Sequence, residues 1–296
     1  AMIAGKLKFL GVRRMFGIPG GGSSLNLIEE CARHGILFHL AKREDSAVMM
    51  AAVTAELTGT PGVVLTTKGP GISSSVNGVA YASLDRAPVL VFTDGFSPKI
   101  QAYVTHQVFD QKALLAPVTK GHSLLDGDDP ADEFDRLVAL AMQPPFGPVH
   151  VELTAAVAGK VITFTGTTAK PDARPIHSTV APQAIALLKK AKRPVIVVGL
   201  EARDKHVAQE IATLAERLKC PVLVTYKAKG IVADKHASFA GIFTGGKAEQ
   251  PCVSQADLII LVGLDPVELI LQPWPYDIPV LDVACVQHSP HYITSA

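Results

Sequence analysis

The sequence predicts an α/β protein built from two doubly wound, parallel-sheet domains. Three observations carry that expectation. First, a proline followed by a short β-branched run recurs five times, as APVLVFTDG (87–95), GPVHVELT (147–154), RPVIVVG (193–199), CPVLVTY (220–226) and IPVLDVA (278–284). Second, helical patterns separate these runs. Third, the stretch 155–182 holds Thr, Gly, Ala and Pro with no sustained period, which reads as an extended linker. Proline has no N–H, so it is tolerated at the first residue of a strand and not in its middle. The runs are too short and too valine-rich for helices. They are apolar on both faces, as strands covered by helices on each side must be. Strand–helix alternation along the whole chain then means parallel sheets.

In chain order, FGIPGGG (16–22) is a strand that ends in Pro19 and three glycines. Ser24 is placed to N-cap a helix through about Arg33, with Leu25, Ile28 and Cys31 on one face and Gly35 beyond its end. Ile36–Leu40 is strand-like. A helix over 45–58 starts at Asp45 or Ser46 and stops near Gly59. GVVLTT (62–67) is a strand, and helices follow over 73–84 and 131–142. In the second half, 182–192 and 203–219 are helical and ADLIILVG (256–263) is a buried strand. The expected division is a first domain over 1–165, a linker over 166–180 and a second domain over 181–296.

Bulk properties narrow the function classes. The 296 residues are 48% hydrophobic and 19% charged, enough for a large buried core. Lys and Arg number 28 against 27 Asp and Glu, for a net charge of +1. That balance offers no electrostatic reason to expect nucleic acid or an anionic membrane as partner. No run of about 18 apolar residues is present to span a bilayer. AMIAGKLKFLGVRR has no continuous apolar stretch of the kind a secretion signal needs, so a cytoplasmic location is expected. Cys31, Cys220, Cys252 and Cys285 form no C-x-x-C pair and are expected to be reduced core thiols. No H-E-x-x-H or Cys/His cluster points to zinc, and no metal ligand is assigned.

Three stretches could carry chemistry. Glu44 follows a strand-like run at the mouth of a helix, and ligands of open parallel sheets sit at the carboxyl ends of strands. A glutamate there is also favoured by the helix dipole alone. Gly69-Pro70-Gly71 follows the 62–67 strand. Its glycines permit positive φ and close backbone approach, though an ordinary turn has the same look. The loop of Pro19, Gly20, Gly21 and Gly22 frees backbone groups to face a flat ligand, or simply joins strand to helix. Neither G-x-G-x-x-G nor a P-loop occurs intact.

Order, spacing and flanks together resemble the pyrimidine-binding domain of thiamine-diphosphate-dependent enzymes, in the acetolactate synthase, pyruvate oxidase and benzoylformate decarboxylase group. The segments that carry the resemblance are FGIPG (16–20), KREDSAVMMAAVTAELTGTPGV (42–63), TTKGPGISS (66–74), DRAPVLVFTDG (85–95), HQVFDQKALLAPVTK (106–120) and GPVHVEL (147–153). KRPVIVVG (192–199), CPVLVTYKAKGIVADKH (220–236), FAGIFTGG (239–246) and ADLIILVG (256–263) are similar to the central domain of that family.

The resemblance implies that Glu44 is the family's catalytic glutamate, which hydrogen-bonds N1′ of the aminopyrimidine and so helps remove the C2 proton. It implies that Pro19, Gly20, Gly69, Pro70 and Gly71 line the pyrimidine pocket. His106, Gln107 and Lys120 match positions on the substrate side. The cofactors implied are thiamine diphosphate and Mg²⁺, held only in the complete enzyme. The substrate implied is a 2-oxo acid, decarboxylated or joined to a second molecule as in acetolactate synthesis. A homodimer or tetramer is implied, because the family's active site forms between subunits.

The sequence also departs from the family. Arg43 stands where many relatives have histidine, Asp45-Ser46 where Gln-Gly is usual, and Lys68 where a small residue precedes G-P-G. Lys68 is expected to point to solvent. VVGLEARD (197–204) and VGLDPVELI (262–270) lack the glycines and arginines of FAD-binding members, which argues against FAD and for a structural central domain. The G-D-G stretch that binds diphosphate and Mg²⁺ is absent, and DGDDPADEF (126–134) is no substitute. The chain is therefore expected to be the amino-terminal portion of a longer enzyme, or half of a split one, inactive without a diphosphate-binding domain or subunit. The alternative is a non-catalytic regulatory or assembly subunit.

Overall fold

The computed structural model describes residues 1–126, 130–159, 182–269 and 274–286. The chain forms two compact units, residues 1–175 and 176–296. The expected boundary near 165 and the linker 166–180 lie outside the described residues.

The first unit runs α1 (Met2–Phe9), β1 (Arg14–Ile18), α2 (Ser23–Arg33), β2 (Leu37–Leu40), α3 (Glu44–Thr58), β3 (Gly62–Thr66), α4 (Pro70–Leu84) and β4 (Val89–Gly95). It continues with α5 (Pro98–Gln101), α6 (Gln111–Leu115), β5 (His122–Leu125), α7 (Pro130–Ala141), β6 (Val149–Thr154) and α8 (Ala155–Ala158). The six strands form one parallel sheet in the order β2-β1-β3-β4-β6-β5. The second unit runs α9 (Pro182–Lys190), β7 (Pro194–Val198), α10 (Lys205–Leu218), β8 (Val222–Val224), β9 (Phe239–Ile242), α11 (Gln250–Val253), β10 (Leu258–Val262) and β11 (Val280–Val283). Its five strands are parallel in the order β11-β10-β7-β8-β9. Both sheets are the doubly wound, parallel kind that the proline-led apolar runs predict.

Each sheet is buried on both faces because neighbouring residues point opposite ways. In the first unit Met15, Leu65, Leu90 and Phe92 pack with Leu7, Leu27 and Phe134 on one face. Phe16, Val64 and Val91 pack with Ala47, Ala51 and Ile72 on the other. Glycines on β3 and α4 let α3 approach closely. A Cβ on Gly62 would lie 2.3 Å from the Ala51 carbonyl oxygen, and one on Gly78 2.4 Å from that of Asp45. The helix ends at Gly59, whose left-handed φ of 68° stops it as expected.

Three expectations are corrected. Ser24 does not cap α2. Gly22 does, at φ 63°, and Ser24 lies inside the first turn, buried. Core burial holds for two of the thiols only. Cys31 and Cys220 are buried, which pushes their pKa up to about 12 and about 11, whereas Cys252 is half-buried and Cys285 exposed. The helix expected over 73–84 begins three residues earlier, because Pro70 takes the first helical position, where a missing N–H costs nothing.

Candidate cofactor site

In a doubly wound sheet the ligand crevice lies beyond the carboxyl ends of the strands, where the winding reverses. The order β2-β1-β3 puts that reversal between β1 and β3. The two glycine loops leave the sheet at that point. Ile18, which ends β1, pairs with Thr66, which ends β3. On the other side of β1, Gly17 pairs with Leu40, the last residue of β2, and Ala41 donates its N–H to the Gly17 carbonyl at 2.9 Å. Glu44 starts α3 four residues past Leu40, so it shares this edge with Pro19, Gly20 and the Gly69–Gly71 turn. It is half-buried, and no described residue hydrogen-bonds its carboxylate.

The loops touch because they are glycine. A Cβ on Gly20 would sit 2.4 Å from Thr67 Oγ1 and 2.5 Å from Asp94 Oδ2. One on Gly69, at φ 67°, would sit 2.7 Å from Gln107 Cβ. Asp94, at the end of β4, has no role that the sequence alone would assign, yet it organises the floor. Its Oδ1 accepts from Ser23 Oγ and from the Ser24 N–H at 3.0 Å, which caps α2 from a different strand. Its buried Oδ2 and the buried Ser24 Oγ have no partner. Unpaired buried polar atoms are rare enough to mark a place where a ligand or water is accepted.

The remaining sequence-based candidates separate. Gln107 lies against the Gly69 turn, in the left-handed region at φ 58°. His106 is exposed on the loop between α5 and α6. Lys120 is not brought to this edge. It precedes β5 at the amino-terminal side of the sheet, where its N–H bonds the Pro148 carbonyl. Its ammonium donates to the Leu140 and Gln143 carbonyls at 2.5 Å each, beside the carboxyl end of α7. Lys68 does not simply point to water. Its Nζ lies 4.6 Å from the centre of the Phe96 ring, and it lines a cavity of about 370 Å³ together with Gln107, Gln111, His122 and Glu152. Arg43, in place of a histidine, forks onto Asp45 at 3.0 and 2.9 Å. Those hydrogen bonds, opposed in part by desolvation, lower the Asp45 carboxyl to about 2.

A second polar group, unmarked in the sequence, lies under α6. Gln111 is buried and bridges three elements. Its Oε1 accepts from the Gly69 N–H at 3.3 Å, and its Nε2 donates to the Asp94 carbonyl at 3.3 Å and to Glu152 Oε2 at 3.0 Å. Glu152 Oε1 bonds His122 Nε2 at 2.8 Å. His122 is opposite His150 in register. His150 is fully buried, its Nε2 is 2.8 Å from Thr93 Oγ1, and its Nδ1 has no partner. Burial, with His122 beside it, lowers its pKa to about 3, so the ring is neutral. The signal available in sequence was alternation alone, since His150 and Glu152 are two apart on one strand and share a face.

The corresponding edge of the second unit is filled. Its winding reverses between β7 and β10, beside Gly199 and Gly263. There Glu268 accepts the Leu200 N–H at 2.7 Å, the Asp265 N–H at 3.1 Å and the Thr225 hydroxyl at 2.5 Å. A Cβ on Gly199 would lie 2.4 Å from Leu264 Cα.

Comparison with known proteins gives the family. Residues 1–114 match the family model described as thiamine pyrophosphate enzyme, N-terminal TPP binding domain, and residues 181–291 match that of the thiamine pyrophosphate enzyme central domain. The chain belongs to the thiamine pyrophosphate enzyme family. It is 27% identical over 271 residues to the acetolactate synthase of Bacillus subtilis, covering 89% of this chain and 47% of that protein. It is 29% identical over 270 residues to a probable acetolactate synthase large subunit of Methanococcus aeolicus, covering 85% and 44%. Identity to the acetolactate synthase of Arthrospira platensis is 31% over 274 residues, covering 86% and 47%. The chain thus spans about half the length of these curated relatives. Both open glycine loops, Glu44 and Gln107 fall inside the first matched region. Lys120 and the His122, His150 and Glu152 group fall outside both. No helix among the described residues is long and apolar enough to cross a membrane.

Proposed function

We propose that this chain supplies the pyrimidine-binding half of a thiamine-diphosphate-dependent active site, in an enzyme that decarboxylates a 2-oxo acid and joins the product to a second one, as acetolactate synthases do. The observation that carries the reading is the meeting of Glu44, the Pro19–Gly22 loop and the Gly69–Gly71 turn at the winding reversal of the first sheet. The residues fit a flat heterocycle. Gly20 and Gly69 let the two loops close on Thr67, Asp94 and Gln107 beside Glu44, and Asp94 Oδ2 is a buried acceptor without a partner beneath them.

Bound thiamine diphosphate supplies a carbon nucleophile and an electron sink. The contribution of the chain is to hold and orient. The Glu44 carboxylate has no hydrogen-bond partner among the described residues and is open to share a proton with a ring nitrogen. Half-burial keeps competing water low while leaving the group reachable. Pro19 holds its φ fixed where its loop begins, and Gln111 fixes the Gly69 turn through the Gly69 N–H. Gln107 and Lys68 border the cavity from which a 2-oxo acid would approach, and the Lys68 ammonium suits its carboxylate.

Diphosphate and Mg²⁺ need oxygen ligands that this set of residues does not provide, so they are assigned to further polypeptide, in an oligomer. FAD is not assigned to the central unit. The Glu268 carboxylate occupies the backbone donors at the β7 turn that a pyrophosphate would need. The test is Glu44→Gln in the complete enzyme, read by deuterium exchange at C2 of bound cofactor. Exchange is expected to slow by roughly 10²-fold or more, the usual worth of a positioned acid–base group. Unchanged exchange with intact cofactor binding refutes the assignment.

A further inference from the structure

His122, His150 and Glu152 form a donor set that the cofactor chemistry does not use. They lie on one sheet face, His122 and His150 directly opposite on β5 and β6, and Glu152 two residues further along β6. One ligand atom from each lies within 4.8 Å of the other two. The imidazole centres are 4.9 Å apart. We propose that these three side chains bind one divalent transition metal of the zinc type, with a fourth coordination position open to the adjoining cavity.

Four features support this. Two imidazoles and a carboxylate are the donors that zinc takes when it keeps an exchangeable fourth ligand, whereas Mg²⁺ prefers oxygen throughout. The Nδ1 atom of His150 is buried without a partner, on a ring whose other nitrogen is fixed by Thr93 Oγ1 at 2.8 Å. A structural histidine in the core normally satisfies both nitrogens. The outer partners that metal sites use are also in place. Thr93 orients His150, and Gln111 donates to the Glu152 oxygen that His122 does not use. Finally, His122 and Glu152 line the cavity of about 370 Å³ while His150 lies beneath, so a metal would be anchored from below and open above.

The geometry asks for a small adjustment. Bonds of about 2.0–2.1 Å in a tetrahedron set donor atoms roughly 3.4 Å apart. The His122–Glu152 pair is at 2.8 Å because it shares a proton. Replacing that proton by a metal lets the pair open while His122, which is not fully buried, swings toward His150. Three protein bonds form as the Nε2 proton of His122 leaves, to Nδ1 of the same ring when the imidazole is neutral or to solvent when it is charged, and water completes the shell.

The experiment strips the purified chain with a chelator, then titrates Zn²⁺ by calorimetry and Co²⁺ by visible absorption. One equivalent is expected to bind, and Co²⁺ is expected to show the intense bands of four-coordination. His122→Asn and Glu152→Gln, which conserve size and hydrogen bonding, are each expected to weaken binding at least ~10-fold and abolish those bands. His236→Asn, on a pair with Glu216 elsewhere on the surface, is expected to leave both unchanged. Absence of stoichiometric binding, or binding that survives both site substitutions, overturns the proposal. So does octahedral Co²⁺ absorption lost only in His236→Asn. Circular dichroism of each variant shows that it is folded.

Discussion

Four glycines at the carboxyl edge of the first sheet separate two physical reasons for glycine. Gly21 has neither a positive φ nor any atom within 4 Å of where a Cβ would sit. Gly22 has φ 63° with open space around it. Gly20 has no positive φ but a Cβ there would meet Thr67 Oγ1 at 2.4 Å and Asp94 Oδ2 at 2.5 Å. Gly69 has both, φ 67° with Gln107 Cβ at 2.7 Å and the Gln107 carbonyl oxygen at 2.8 Å. Alanine at a compatible site restricts the unfolded chain and stabilises by about 0.4–1 kcal/mol, so Gly21→Ala is expected to be neutral or slightly stabilising. Strain at positive φ costs about 1–3 kcal/mol, which leaves Gly22→Ala destabilised by roughly 1–2 after that gain. Overpacking costs about 1–3 kcal/mol, so Gly20→Ala is expected in the same range. Gly69→Ala incurs both and should lose roughly 3–4 kcal/mol, more so because one neighbour is backbone. Urea unfolding by far-UV circular dichroism measures the series. The fluorescence of Trp274, the single tryptophan, marks the second unit alongside. If Gly69→Ala is no worse than Gly21→Ala, the account of why these loops are glycine is wrong.

Two further outcomes follow from buried or paired carboxyls. Glu268→Ala strands the Leu200 and Asp265 N–H groups, at about 1–3 kcal/mol for each donor, whereas Glu268→Gln keeps an acceptor and should lose much less. Burial raises the Glu268 pKa, so its favourable contribution is full below the unfolded value and is lost as pH rises through the folded one. Glu268→Gln should remove that slope from an unfolding series in pH. At the other unit, Arg43→Ala is expected to let the Asp45 carboxyl rise from about 2 toward its ordinary 3.8, as an NMR titration would read. Stability linked to Asp45 is present above the unfolded pKa and fades as pH falls through the folded one, so that part of the acid dependence should disappear in the variant, whose folded and unfolded values nearly coincide.

Legibility in the sequence tracked locality. The five proline-led runs, the 45–58 helix and its Gly59 stop rest on neighbours in the chain, and the structure has them within a few residues. β5 (HSLL) and β9 (FAGI) are short edge strands whose pairing, not composition, makes them strands. Glu44 and the two glycine loops stood out through the order of their motifs. Asp94 lay in plain view within VLVFTDG, but its role needs β4 beside β3 and β3 beside β1, which only the fold supplies. His122 and His150 are 28 residues apart and meet through strand register. Lys120 shows the reverse case. Its segment resembles a family motif, yet the lysine falls before β5 rather than after a strand, and its ammonium goes to the carbonyls beside α7.

The two sheets share a construction and treat their carboxyl edges in opposite ways. In the second, the turn after β7 brings Gly199 against Leu264, and Glu268 takes the freed N–H groups of Leu200 and Asp265, which an outside anion would otherwise bind. In the first, Gly20 and Gly69 let their loops pack against Thr67, Asp94 and Gln107, and the polar atoms beneath are left unpaired at Asp94 Oδ2 and Ser24 Oγ. An unpaired buried acceptor costs about 1–3 kcal/mol. A fold with an internal carboxylate solution at one edge would gain by using it at the other. On the proposed function, a ligand held through Glu44, whose carboxylate has no hydrogen-bond partner among the described residues, would offset that cost on binding.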